Sequence, residues 1–202
     1  MKEYLISYCK GAPDWSKMPT LAISEYYKKV PAKVDAFAQI GYNEKELLVH
    51  LWVDTDEVRA EEFGPMAQPC RDSCLEFFFS PVPGDNRYFN IEFNSIGCSY
   101  LGIGSCIDDL LRLHPERDEN ILNPDIRKTS GGWEIFYTVP YELIRRIFPT
   151  FEAVPGMEIR ANCFTCADEA KQPYHISWNP VTADPFNFHH TPSFGKMVLS
   201  EK

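Results

Sequence analysis

The sequence is poor in basic residues and lacks a long hydrophobic run, and both absences narrow the classes of function. Lys and Arg number 20 against 29 Asp and Glu, which gives a formal net charge of −9 at pH 7. Nucleic acids and anionic membranes bind clustered basic side chains, so neither a nucleic-acid partner nor a membrane partner is expected. No apolar stretch is long enough to span a bilayer.

Common catalytic and targeting motifs are also missing. The sequence contains no nucleophile elbow, phosphate loop or metalloprotease motif. Residues 1–15 hold too few apolar side chains for the hydrophobic region of a signal peptide. Seven cysteines cannot all pair internally. These features predict reduced thiols in a cytoplasmic protein, or an extracellular or periplasmic one if a leader has been removed.

Aromatic residues and prolines, by contrast, are abundant. Phe, Tyr and Trp make up 14% of the 202 residues, and 16 prolines outnumber 11 glycines. Proline removes a hydrogen bond from a helix interior, so this composition favours short strands joined by proline-marked turns. Because there is no internal repeat and no low-complexity linker, we expect one domain over residues 1–202.

Alternation of apolar and polar residues predicts the main strands. It is clear at 47–54, 72–81, 87–94, 133–140 and 156–164. The second and third of these runs are expected to pair as a hairpin, with Leu75, Phe77, Phe79, Phe89, Ile91 and Phe93 facing the core.

The remaining segments predict turns and little helix. Glycines at 97, 102 and 104 predict a bulged or tightly bent continuation of the hairpin to Ile103. Residues 107–120 predict a loop with at most a short helix, and residues 141–148 a short helix. The whole pattern predicts an all-β, immunoglobulin-like or jelly-roll-like β-sandwich with one or two short helices.

Polar and aromatic residues alternate with the core positions. If the strands were neighbours, one sheet face would collect His50, Trp52, Asp54, Glu76, Tyr88, Asn90, Glu92, Asn94, Arg160 and Asn162. Sugars pack on aromatic rings and exchange hydrogen bonds with carboxylates, amides and arginine, so this set is typical of a carbohydrate site. It is equally typical of the solvated face of a sandwich, and both interpretations stay open.

Cysteines and histidines offer weaker candidates. A four-thiolate zinc site could be built from Cys70, Cys74, Cys163 and Cys166. Alternation points Cys163 and Cys166 to opposite faces, which favours isolated buried thiols. His189 and His190 also point apart, so each could lie near a ligand or serve packing. The metal content is therefore left open.

Several sequence motifs, in order along the chain, resemble those of the family 9 carbohydrate-binding modules. They are Tyr42-Asn43-Glu44, residues 48–53, Arg71 to Pro81, Tyr88 to Asn94, Trp133-Glu134, Pro140, Ile176-Ser177-Trp178 and Pro192 to Met197. The resemblance implies a β-sandwich related to DOMON domains that binds sugar-chain ends without catalysis and is linked to carbohydrate catabolism. It implies no required cofactor, although structural calcium is possible.

The resemblance also assigns roles to residues. It places the binding glutamate of the family at Glu76, its binding arginine at Asn90, and its two stacking tryptophans on or near Cys70 and Phe188. The sequence thus departs from the family pattern at Asn90 and Cys70. Trp178 matches a family tryptophan.

Together, the pattern and the resemblance predict non-catalytic binding of a carbohydrate ligand, which a defined set of residues contacts. The set is Glu76, Asn90, Trp178, Phe188, His189, His190, Trp52, Tyr88, Glu92, Asn94 and Arg160. Three alternatives remain: a glycoside hydrolase that uses Glu76 and Glu92, a haem-binding DOMON-like module, and an interaction module with no small ligand.

Overall fold

Strands dominate the computed structural model, which describes residues 1–113 and 121–202. The strands are β1 (Glu3–Tyr8), β2 (Leu21–Ile23), β3 (Glu25–Tyr26), β4 (Val34–Tyr42), β5 (Glu46–Thr55), β6 (Cys74–Ser80), β7 (Tyr88–Asn94), β8 (Ser99–Gly104), β9 (Leu111–Arg112), β10 (Asp125–Lys128), β11 (Gly132–Pro140), β12 (Glu158–Cys166), β13 (His175–Ser177) and β14 (Gly195–Leu199). One α-helix, α1 (Tyr141–Ile147), agrees with the helix predicted at 141–148. Within the described ranges, no helix is both long and apolar enough to cross a membrane.

Strand β1 joins two layers of strands because its two ends pair with different partners. Glu3–Ile6 runs parallel to β14, and Ser7–Tyr8 runs parallel to β4. On one side follows the order β14-β12-β6-β7-β8-β9, with β13 attached to β12 and β3 attached to β13; we call this the front sheet. On the other side follows β4-β5-β11-β10, with β2 attached to β4; we call this the back sheet. The predicted β-sandwich is confirmed.

The core lies between the inner faces of the two sheets. The back sheet contributes Leu47, Val49, Leu51 and Val53, each at most 2% exposed. The front sheet contributes the six residues that the alternation of the hairpin predicts, and these are equally buried: Leu75, Phe77, Phe79, Phe89, Ile91 and Phe93. The alternation of these strands is therefore confirmed.

The outer face of the front sheet is also covered. All seven residues of β6 and all seven of β7 are buried. A second apolar cluster lies on this outer face: Cys74, Phe78, Tyr88, Phe164, Cys166, Phe188 and Phe194. The last two belong to residues 179–194, which fold back over the sheet after β13 and which we call the covering segment. The expected exposed polar face is thus a second interior.

Strand β8 continues the hairpin in regular register after a tight turn in which Gly97 has a positive φ, so the structure has the predicted tight bend and not a bulge. The glycines of β8 instead allow the neighbouring chain to pack closely against the strand. A side chain at Gly104 would meet the Cα of Leu110 at 2.9 Å, so the chain lies directly against the strand there. Of the loop predicted at 107–120, Ile107–Asp109 forms a 3-10 turn and Leu111–Arg112 forms β9; residues 114–120 lie outside the described residues.

Gly195→Ala is expected to lower the free energy of unfolding by about 1–3 kcal/mol, the usual cost of overpacking a core. An added Cβ would lie 2.4 Å from the ring of Trp178, which is 4% exposed and packed in the main core. Urea unfolding measures the change. Gly11→Ala is the matched control, because nothing lies within 4 Å of its added Cβ. Equal effects of the two substitutions would contradict this account of Gly195.

Candidate functional site

Acidic and amide side chains lie at the centre of the outer face of the front sheet. The register pairs Glu76 of β6 with Glu92 of β7, and two residues further along β6 it pairs Phe78 with Asn90. Glu76, Asn90 and Glu92 are therefore neighbours, and we call these three residues the polar floor. Their exposed fractions are 2%, 1% and 6%. The structure thus brings three predicted ligand-binding residues together, in a buried position.

Several atoms of the polar floor have no hydrogen-bond partner within the described chain. They are Nδ2 and Oδ1 of Asn90 and Oε2 of Glu92. Glu76 differs, because its Oε1 accepts a hydrogen bond of 3.0 Å from the thiol of Cys166. A buried polar group without a partner costs about 1–3 kcal/mol, so each one calls for an explanation. A ligand that bonds to Asn90 and Glu92 provides one.

Burial also changes the protonation of the two carboxyl groups. Burial raises the pKa of Glu92 to about 7, and the nearby Asn90 amide and Arg112 guanidinium offset this only in part. Burial, and then the charge of Glu92, raise the pKa of Glu76 well above its usual range. Two adjacent buried carboxyl groups do not both ionise readily. The polar floor therefore holds at least one proton near neutral pH.

Aromatic side chains cover the polar floor from one side. Phe188 stacks on Phe164 at a centroid distance of 4.2 Å. Nδ1 of His189 is 2.7 Å from the hydroxyl of Tyr88. Burial lowers the pKa of His189 to about 4, so its imidazole is neutral at pH 7. Phe188, His189 and Tyr88, three further predicted residues, thus lie at the same outer face.

The covering segment is fixed to β12 by polar contacts at its ends. The Asn162 side chain donates to the carbonyls of Asn179 (2.9 Å) and Ser193 (3.3 Å). Arg160 donates to the Phe194 carbonyl at 2.5 Å, and Nδ1 of His190 lies 2.7 Å from Ser193 Oγ. Arg160 and His190, which the sequence predicts as ligand contacts, therefore hold the covering segment in place.

A second network of hydrogen bonds and ion pairs, centred on Asp72, positions residues 59–62 beside the other end of the polar floor. Asp72, fully buried, is paired with Arg59 and accepts hydrogen bonds from the main chain of Glu61 and Glu62 and from Asn94. Burial alone would raise the pKa of Asp72, but the hydrogen bonds hold it below its usual value. The Asn94 side chain is thus occupied by protein partners. The sequence analysis missed this network, although Asp72 opens the motif that begins β6.

Tyr100 is a further aromatic residue that the sequence analysis missed. It lies opposite Glu92 across β7 and β8 and keeps partial exposure. A Cβ at Gly102 would lie 2.6 Å from the ring of Tyr100, so the absence of a side chain lets the ring lean over the strand. Gly102 pairs with Asn90, which places the ring near the polar floor. The available signal in the sequence was the position of Tyr100 between two glycines, Gly97 and Gly102.

Two predicted aromatic residues lie elsewhere. Trp52 is on the outer face of the back sheet, stacked against His50 at 4.6 Å, because β5 pairs with β4 and β11 rather than with β6. Trp178 is 4% exposed and belongs to the main core. His50, Trp52 and Asp54 therefore do not share a face with the polar floor, contrary to the expectation that one face collects them all.

The four cysteines of the hypothetical zinc site divide between the two interiors. All seven cysteines lie in the described ranges and are free thiols. Cys163 is in the main core, whereas Cys74 and Cys166 lie on the outer face, so the predicted opposite orientation of Cys163 and Cys166 is confirmed and a four-thiolate site is not formed.

One group of possible metal ligands remains in the described part of the chain. Among its His, Cys, Asp and Glu side chains, Cys74, Glu76 and Cys166 alone come together in a set of three, with ligand atoms within 4.8 Å of one another. Calcium takes about six to eight oxygen ligands. A set with two thiols does not fit the calcium that the family resemblance implies.

Comparisons with known proteins agree with this architecture. The family model described as carbohydrate-binding family 9 matches residues 14–199. No curated protein matches the chain. Among solved structures, a protein from Bacteroides uniformis ATCC 8492, described as a candidate carbohydrate-binding protein, is 22% identical with a TM-score of 0.83, over 98% of this chain and 99% of that one.

Two solved structures contain sugars. Both are family 9 carbohydrate-binding modules from Caldicellulosiruptor kristjanssonii. The complex with cellotriose is 12% identical over 100% of this chain and 95% of that one, with a TM-score of 0.70. The complex with glucose is 11% identical over 100% and 97%, with a TM-score of 0.67. These likenesses support the fold.

Glu92→Gln is expected to stabilise the protein at pH 8 and to change little at pH 4. A carboxyl group whose pKa is raised by folding weakens the folded state as pH rises from the unfolded pKa to the folded pKa. For Glu92 this window runs from 4.5 to about 7, and the full effect is on the order of 3 kcal/mol at about 1.4 kcal/mol per pKa unit.

Chemical denaturation of both proteins at several pH values measures this difference, which also cancels the separate contribution of His189. Glu152→Gln, at an exposed position, is the control and should give a difference that does not vary with pH. A pH-independent difference for Glu92→Gln would contradict the raised pKa.

Proposed function

Because the chain belongs to carbohydrate-binding family 9, we propose that it is a non-catalytic carbohydrate-binding protein whose ligand contacts the polar floor. The observation that carries the proposal is the Asn90 side chain, which is 1% exposed and has neither of its polar atoms paired. An amide offers a donor and an acceptor, which is what a pair of sugar hydroxyl groups requires.

The surroundings of Asn90 support a sugar rather than another polar ligand. Glu92 adds a carboxyl group with an unpaired oxygen, and the rings of Phe188 and Tyr100 lie on either side. Sugar rings present C–H faces to aromatic planes and hydroxyl groups to polar atoms. Cys70, at the position of a family stacking tryptophan, provides no ring, and we assign that role to Tyr100.

The enclosure of the polar floor favours the end of a sugar chain. The covering segment closes one side, and Cys70 and Leu110 pack at the rim of the same cluster. An internal sugar unit would need two open sides, whereas a terminal unit needs one. We therefore propose that oligosaccharide or polysaccharide ends are bound, in a role connected with carbohydrate catabolism.

Binding at Asn90 requires part of the covering segment to move. Its anchors are Asn179 and Ser193, both held by Asn162, whereas Phe188 is held by ring stacking. We propose that the residues between Thr182 and His190 shift and that Phe188 exchanges its contact with Phe164 for one with the sugar. Hydrogen bonds and stacking require no cofactor, and calcium has no part in this mode.

A glycoside hydrolase is the second candidate, favoured by one observation. Glu76 and Glu92 are direct cross-strand partners with raised pKa values, an arrangement that can separate an acid from a base. Turnover of aryl glycosides that Glu76→Gln abolishes would establish it. The haem alternative requires an axial His or Met, and His189, one of the histidines at this face, is engaged with Tyr88.

Asn90→Leu is expected to weaken carbohydrate binding about tenfold or more without lowering stability. Loss of hydrogen bonds to a ligand costs about 1–3 kcal/mol, whereas a buried amide without a hydrogen-bond partner is itself a cost to the folded state, which leucine removes. Calorimetric titration with glucose, cello-oligosaccharides and xylo-oligosaccharides measures affinity, and thermal unfolding measures stability. No heat and no thermal shift with any of these sugars in the natural protein would overturn the proposed function.

Phe188→Ala and Trp52→Ala form a matched pair for the position of the site. Stacking of an aromatic ring contributes about 1 kcal/mol, so loss of Phe188 should weaken the titrated affinity several-fold to tenfold. Trp52 lies on the back sheet, and its removal should leave affinity unchanged. The reverse result would move the binding site to the back sheet.

A further inference from the structure

Three metal-ligating side chains converge beneath the covering segment. Cys74 and Glu76 are two residues apart on β6 and so point to the same face, and Cys166 lies directly opposite Cys74 on β12. The ligand atoms of all three lie within 4.8 Å of one another. We call Cys74, Glu76 and Cys166 the thiol cluster.

The electrostatic surroundings of the thiol cluster are acidic. The charges that act on Glu76 come from Glu92 and Asp168, and those that act on Cys166 come from Glu76, Cys74 and Asp168. Each member of the cluster is at most 2% exposed. In such surroundings the deprotonated form of these groups, which is the form that binds a metal, is costly unless a cation compensates its charge.

We propose that Cys74, Cys166 and Glu76 form a binding site for a thiophilic divalent cation, for which the donor set favours Zn²⁺. Two thiolates and a carboxylate are ligands that Zn²⁺ accepts, whereas Ca²⁺ and Mg²⁺ prefer oxygen alone. The Oε2 atom of Glu92, a residue 6% exposed and directly opposite Glu76, is a further buried oxygen beside the thiol cluster without a hydrogen-bond partner.

Cys70 can complete the coordination. Its carbonyl oxygen accepts a hydrogen bond of 3.4 Å from Cys166 Sγ, which places the residue beside the thiol cluster. The residue sits in the 3-10 turn Pro69–Arg71 and keeps partial exposure, so its side chain can rotate inward. A fourth ligand from Cys70 would give the tetrahedral geometry of structural zinc sites.

The inference goes beyond carbohydrate binding, and its test uses no sugar. The full chain is reduced, freed of metal with a chelator and titrated anaerobically with Co²⁺. We expect one equivalent to bind, with a near-ultraviolet thiolate-to-cobalt charge-transfer band that Zn²⁺ abolishes. Cation binding displaces thiol protons, so proton release should accompany the titration.

Variants locate the site. Cys166→Ser and Cys74→Ser should each reduce the band and weaken affinity at least about 100-fold, since even outer ligand-supporting groups contribute about 10–100-fold. Cys163→Ser is the matched control, because Cys163 lies on the same strand as Cys166 but faces the main core. Its affinity should be unchanged. Glu76→Gln keeps both thiols and should weaken binding, which tests the site even where a serine variant fails to fold.

Two outcomes would overturn the proposal. One is the absence of the charge-transfer band in natural protein whose seven thiols all titrate with a thiol reagent. The other is a band that persists when Cys74 and Cys166 are both replaced by serine. Neither outcome bears on carbohydrate binding, which is measured separately with metal-free protein.

Discussion

The burial of β6 and β7 on both faces is the constraint from which the unusual chemistry of this protein follows. Their inner faces are occupied by leucine, isoleucine and phenylalanine of the main core, as in any sandwich. Their outer faces carry Glu76, Asn90 and Glu92, residue types that are seldom buried without partners. The covering segment places these groups in a medium of low dielectric constant. The raised carboxyl pKa values, the unpaired amide and the protonated thiols share this one cause.

Asn162 makes that burial possible. Its amide donates to Asn179 and Ser193, and its carbonyl oxygen accepts from the main chain of Asn179, so one buried side chain joins both ends of the covering segment to β12. The segment between these ends contributes Phe188 through ring contacts alone. A strongly fixed frame around a weakly fixed aromatic residue allows local opening without loss of the fold.

The sequence predicted which face of each strand points inward but not which strands are neighbours. Alternation places Val49 and Trp52 on opposite sides of β5, and the structure agrees. Period-two patterns carry no information on sheet order, so the expectation that Trp52 shares a face with Glu76 was wrong. The order arises because β1 splits its pairing between β14 and β4, a long-range property that no local pattern encodes.

The candidate site was predicted only in part for the same reason. The family resemblance singled out Glu76 and Asn90, which are neighbours in the structure. The burial of these residues depends on a segment about a hundred positions away, and the meeting of Glu76 with Cys166 depends on the register between β6 and β12. Trp178 matched the family pattern, yet the adjoining Gly195 lets its ring enter the core. Such contacts between distant residues are set by packing rather than by local sequence.

Glu76 belongs to both the polar floor and the thiol cluster, and this connects the two in energetic terms. A divalent cation held by the thiolates of Cys74 and Cys166 and the carboxylate of Glu76 displaces the protons of these groups and leaves the thiol cluster with a net negative charge. That charge lies close to Glu92 and favours its protonated form. Ionised Glu92 accepts hydrogen bonds only, whereas its protonated form also donates one. Cation binding would therefore change which sugar hydroxyl groups the polar floor accommodates. Since coupling between two binding equilibria is reciprocal, a sugar that accepts a hydrogen bond from protonated Glu92 would in turn strengthen cation binding at the thiol cluster.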